Sequence, residues 1–98
     1  MAKVSENRRD SGEMPVDSIV DGYVQSLDNE RRMLVVLKAQ LYGGRWEPML
    51  DDLKNRLEGK PYIFKLASRI KDDVERIEEM QAFEDEHRVD LADYVDLS

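Results

Sequence analysis

From Val20 onward, apolar side chains return at alternating steps of three and four: Val20, Tyr23, Leu27, then Leu34, Leu37 and Leu41, with Glu30 as the one polar intruder. Such spacing keeps to one face of an α-helix, so it predicts one long helix reaching Leu41, with a kink or a restart at Asp28-Asn29 as the alternative. Both of those side chains compete well for free backbone amides. Pro15 discourages helix upstream, and Asp17 or Ser18 is the expected cap. Met33-Leu34-Val35-Val36-Leu37 is apolar nearly all round the helix, which predicts cover from more than one side.

Gly43-Gly44 suits the end of that helix, because glycine enters the left-handed region without a side-chain penalty. A second stripe, Trp46, Met49, Leu50, Leu53 and Leu57, predicts a short helix of about 12 residues with Pro48 in its first turn and Gly59-Lys60-Pro61 as its stop. The third helix is expected from about Pro61 through Ile63, Leu66, Ala67, Ile70, Val74, Ile77 and Met80 to Phe83. Residues 1–15 read as a disordered polar leader, 16–88 as the helical domain, and 89–98 as an acidic tail or a short helix docked through Leu91, Tyr94 and Val95. The expected fold is therefore all-α: a three-helix up-down-up, hairpin-like bundle with two long helices, one short one, and that fourth C-terminal helix if the tail docks.

Unequal lengths carry the argument about partners. Two long helices joined through a short one should overhang it at residues 18–30 and 75–87. The seam positions Val20, Tyr23, Leu27, Val74, Ile77 and Met80 would then lack cover from their own chain, and a homodimer is the simplest repair, with another protein as the second option.

Composition sharpens this picture in three ways. A chain of 98 residues that is 41% hydrophobic and 38% charged buries only a thin core. Without cysteine it has no disulfide, thiolate nucleophile or thiolate zinc site. No run approaches the roughly 18 apolar residues of a membrane span, and MAKVSENRRDSGEMP lacks the apolar stretch of a secretory signal, so a cytoplasmic location and no membrane partner are expected.

The net charge of -7 hides an acid, base, acid order: residues 1–30 carry 3 basic and 7 acidic side chains, residues 31–71 carry 10 and 4, and residues 72–98 carry 2 and 11. This division suits antiparallel docking of one chain's basic middle on another's acidic end. It also permits a nucleic-acid face made of Arg45, Lys54, Lys60, Lys65, Arg69 and Lys71, with Tyr62 and Phe64 interleaved for stacking. The overall acidity, and the lack of any helix-turn-helix, zinc-finger or RNA-recognition motif, make that the alternative.

Four stretches carry residue types that could support chemistry. Gly43-Gly44-Arg45 lacks the lysine spacing of a phosphate loop and reads as a corner. Trp46 continues an apolar stripe and reads as core. Glu84 and His87, three apart, form half of a diiron motif that would need further inward glutamates, of which Glu30 is the one seam candidate. Asp72, Asp73, Glu75, Glu78 and Glu79 lie on a face expected to be solvated, where general acid-base work is not favoured. Hence no catalytic, cofactor or metal site is expected, and the chain reads as a small helical protein-interaction or regulatory module acting as a homodimer.

Overall fold

The first apolar seam does not run through as one helix. A computed structural model, which describes residues 15–60 and 62–95, divides it into α1 (Val16–Ser26) and α2 (Asn29–Leu41). Leu27 and Asp28 are extended between them, with ψ of 139° and 174°. The Asp28 carboxylate accepts the Arg31 N–H at 2.8 Å, which caps α2. Across the break, the Arg32 guanidinium donates to the carbonyls of Leu27 and Gln25, both at 3.2 Å. With both broken ends supplied with partners, a reversal replaces the single rod that the spacing predicts. The cap expected at Asp17 or Ser18 also moves. Pro15 holds the cap position without a side-chain bond, and Asp17 sits in the first turn, where it accepts the Tyr94 hydroxyl at 2.6 Å.

Pairs between elements fix the directions. Arg31 reaches Glu79 and Lys38 reaches Glu84, so α2 runs with α4 (Phe64–His87). Tyr23 stacks on Phe83 and Asp17 meets Tyr94 beyond the end of α4, so α1 runs against both. Between α2 and α4, α3 (Trp46–Gly59) returns with Tyr42 on Asp52 and Lys54 on Glu78. The result is an all-α bundle: the up-down-up trio of α2, α3 and α4, with α1 folded back on it and no strand among the described residues.

Gly43 and Gly44 make the corner as the sequence implies, at φ of 62° and 79°. The Lys38 carbonyl accepts the N–H groups of both Tyr42 and Gly44 at 3.1 Å. The next two elements are shifted from expectation. α3 has 14 residues, and α4 starts at Phe64 rather than near Pro61, which lies outside the described residues. α4 ends on Arg88 in the left-handed region (φ 55°), where the Glu84 carbonyl accepts the N–H groups of Arg88 and Val89. This turn sends the chain back across the bundle. A 3-10 turn, Leu91–Tyr94, docks there with Leu91 fully buried, the docked form of the two C-terminal alternatives. The expected leader, apart from Pro15, and residues 96–98 of the tail lie outside the described residues.

The reversal at Asp28 removes the expected overhangs. A 24-residue α4 is about 36 Å long, against about 17–21 Å for the other three helices. α1, folded back, covers the second half of α4 instead of projecting past the bundle. Val20, Val24 and Leu27 pack into one core with Leu34, Val35, Trp46, Met49, Leu50, Ile70, Val74, Ile77, Met80 and Leu91. Cover of the Met33–Leu37 run is found in part: Leu34 and Val35 are buried and Val36 and Leu37 half-buried, but Met33 is 56% exposed and, beyond the run, Leu41 67%.

Candidate interaction surface

The six seam residues assigned to a partner are placed where a partner has little to touch. Val20, Ile77 and Met80 are fully buried, Leu27 and Val74 nearly so, and half-buried Tyr23 lies against Phe83 with ring centroids 4.0 Å apart. Their cover comes from the same chain, in the one core that also holds Leu34 and Val35 of α2 and Trp46, Met49 and Leu50 of α3. As a contact seam between chains this set is corrected, because the corner at Asp28 brings its two halves together.

The six basic residues of the alternative face are dispersed. Arg45 stands at the α2–α3 corner, one α3 length, about 21 Å, from Lys60. Lys54 pairs with Glu78 at 3.3 Å, and Arg69 with Glu30 at 2.6 Å and Asp73 at 3.6 Å. Lys60, Lys65 and Lys71 form no ion pair among the described residues and share the start of α4 with Tyr62 (72% exposed) and Phe64 (81% exposed). They are neighbours along the chain, but Lys65 and Lys71, six positions apart, point to different sides of α4.

Glu30 and Glu84, weighed with His87 as metal ligands, are engaged elsewhere. Arg76 and Arg69 grip Glu30, and their hydrogen bonds hold its pKa below the usual glutamate range. His87 rests against Phe83 with centroids 4.5 Å apart. Glu84 turns inward to Lys38, a residue the sequence reading passed over. Its ammonium is wholly buried, 2.6 Å from Glu84 and 2.7 Å from Asp90, and lies 4.5 Å over the Trp46 ring. The buried Glu84 carboxylate also accepts the Leu91 N–H at 2.7 Å, while Asp90 accepts the Ala92 N–H at 3.0 Å.

Burial raises the Glu84 pKa more than its bonds to Lys38 and Leu91 lower it. At Asp90 burial acts in the same upward sense, but the bonds to Lys38 and Ala92 outweigh it and the pKa is lowered. All three charged groups are spoken for, so the cluster acts as a clasp: one cation joins α2, α4 and the C-terminal turn. Its signal in the sequence is faint but present, since Lys38 falls four residues after Leu34 on the buried face of α2.

Open, by contrast with the clasped side, is the other flank of α2. Met33, Leu37 and Leu41, each four residues apart, line a groove between α2 and the α3–α4 hairpin. It consists of two adjoining depressions of about 350 and 300 Å³, which share Leu34, Leu37 and Asp73. Leu53 of α3 forms the far wall, and the ion pairs Arg69–Asp73 and Arg56–Asp52 stand on the rim. A stripe with this spacing inside a shallow apolar trough matches the face that a partner helix covers. By spacing alone, Leu37 and Leu41 belong to the central apolar seam. The clue was an excess of apolar positions on α2, more than one buried face can use.

Among the described residues no helix is long and apolar enough to cross a membrane. No family model matches the chain, and no curated protein or solved structure matches it either.

Proposed function

We propose that this chain is a protein-interaction module whose contact surface is the groove between α2 and the α3–α4 hairpin. The observation that carries the reading is the Met33–Leu37–Leu41 stripe, exposed at Met33 and Leu41 and half-buried at Leu37, which with Leu53 lines a continuous groove, whereas the other exposed apolar side chains, most of them at the start of α4, line none of the depressions described. Burying such side chains contributes roughly 1.5–3 kcal/mol each, enough for a few residues to anchor a partner helix. Self-association falls within this reading, a second copy being one source of an apolar helix face. A binding role rather than an enzymatic one is supported by the carboxylates: Glu84 and Asp90 are committed to Lys38, and Glu30 to two arginines.

The test is methyl NMR on dilute protein with labelled methionine and leucine, titrated with a synthetic amphipathic helical peptide of leucine, lysine and glutamate. Shifts at Met33, Leu37, Leu41 and Leu53, with Met80 unmoved, support the groove. A titration that moves none of the four removes it.

A second reading, contact with nucleic acid, draws on Lys60, Lys65 and Lys71 beside exposed Tyr62 and Phe64. It requires a gel shift with single-stranded oligonucleotides that weakens steeply with salt.

A further inference from the structure

The groove lies in a charge field with two poles, and the poles arise from the way the hairpin folds. Along α3 the charges run from acidic (Glu47, Asp51, Asp52) to basic (Lys54, Arg56, then Lys60 just past its end). Along α4 they run the other way, from Lys65, Arg69 and Lys71 to a second half rich in aspartate and glutamate. Because the two helices are antiparallel, the gradients coincide instead of cancelling. Residues 54–71 hold six cations and one anion, net +5, whereas residues 72–95 hold two cations and ten anions, net -8. These poles lie toward opposite ends of a helix about 36 Å long, several times the Debye length of roughly 8 Å at physiological salt. A neighbour therefore meets each pole separately.

The geometry points to a second copy of this chain as the occupant of the groove, laid antiparallel under twofold symmetry about an axis near Leu37. This inference rests on the groove being a contact surface between proteins. Reversal about Leu37 places Met33 of each copy against Leu41 of the other, so the stripe is complementary to itself. The same rotation sets each basic hairpin end on the partner's acidic end, whereas a parallel pairing would oppose like poles.

The experiment is solution mass by light scattering on the full chain across a dilution series, with two charge-reversed variants. One carries Lys60→Glu, Lys65→Glu and Lys71→Glu, and the other Glu47→Lys, Asp51→Lys and Glu86→Lys, all exposed positions. Wild type should show the mass of two copies. Each variant alone should dissociate at least about tenfold more readily, and a mixture of the two should restore the mass of two copies, because the reversed poles again complement each other. Leu41→Glu, also exposed, should give single copies that stay folded, with the helical circular-dichroism spectrum of wild type and a melting temperature that no longer depends on protein concentration.

A wild type that stays single at every concentration overturns the second copy, as does a dimer indifferent to Leu41→Glu and to both reversals. If the single-copy protein still shows peptide-induced shifts at Met33 and Leu41, only the second copy fails. If those shifts are absent too, the contact surface fails with it.

Discussion

α1 and α2 carry apolar stripes of the same helical spacing, yet one is sealed and the other stands open. On the α1 flank, Val20, Val24 and Leu27 meet α4 and the C-terminal turn, and Lys38, Glu84 and Asp90 clasp that turn down. On the groove flank, Met33 and Leu41 face solvent with only the α3–α4 hairpin nearby. The difference lies in what the chain can reach: the corner at Leu27-Asp28 returns α1 to the bundle, and no described segment returns to the groove. An apolar stripe is thus necessary for burial without being sufficient, and the surplus stripe is where a partner is sought.

The largest contrast between the flanks is in core substitution. Ile77→Asp or Val20→Asp places a bare carboxylate at a fully buried position and should abolish cooperative folding, whereas Met33→Asp, compared with wild type at a dilution where both are single copies, should change stability by no more than about 0.5 kcal/mol. Urea melts check both, and similar losses at the two flanks would erase the distinction.

Next comes the clasp. Lys38→Met leaves Glu84 buried beside Asp90 without its cation and should destabilise by about 3–5 kcal/mol, while Lys38→Met with Glu84→Leu should recover much of that loss. If the single and double variants melt alike, the ammonium is not what holds the turn.

The clasp also fixes signs for acid titration. Glu84, with a raised folded pKa, lends stability that is full below its unfolded value of about 4.3 and is lost as pH rises through the folded value. Asp90 and Glu30, with lowered values, lend stability present above their unfolded values, about 3.9 and 4.3, and lost as pH falls through the folded ones. Stability should therefore gain from Glu84 on mild acidification and fall in stronger acid. Carboxyl carbon shifts measured against pH should place Glu84 above the ordinary glutamate range and Asp90 below the aspartate range. The reverse order would dissolve the assigned roles.

The smallest effect is at the corner between the flanks. Asp28→Ala removes the cap of α2 and should lower stability by about 1 kcal/mol in a thermal melt.

Much of the architecture was legible in the residues. The glycine corner, the stripe of α3, the long α4 and the all-α class follow from local spacing and turn chemistry, which act within a few residues. The reversal at Asp28 was visible only as an alternative, because the 3-4 spacing continues across it with Glu30 as the sole irregularity. That choice decided the placement of six seam residues, which moved from an intermolecular face to the core. Lys38 and its two carboxylates are separated by 46 and 52 positions, so no local pattern joins them. The groove was hidden for a different reason: periodicity tells which residues share a face, and only the packed chain tells which face is left over.

The return of α1 onto the bundle is the claim on which the closed flank, the open groove and the corrected seam all depend. It is tested most directly by the distance between spin labels on Ser18→Cys and Asp93→Cys, two exposed sites in a chain with no native cysteine. With Asp17 bonded to Tyr94, the two labels should lie close together in a narrow distribution. If 18–38 were instead one continuous helix, Ser18 would stand roughly 30 Å from the clasp at Lys38, and a distance in that range would contradict the folded-back α1.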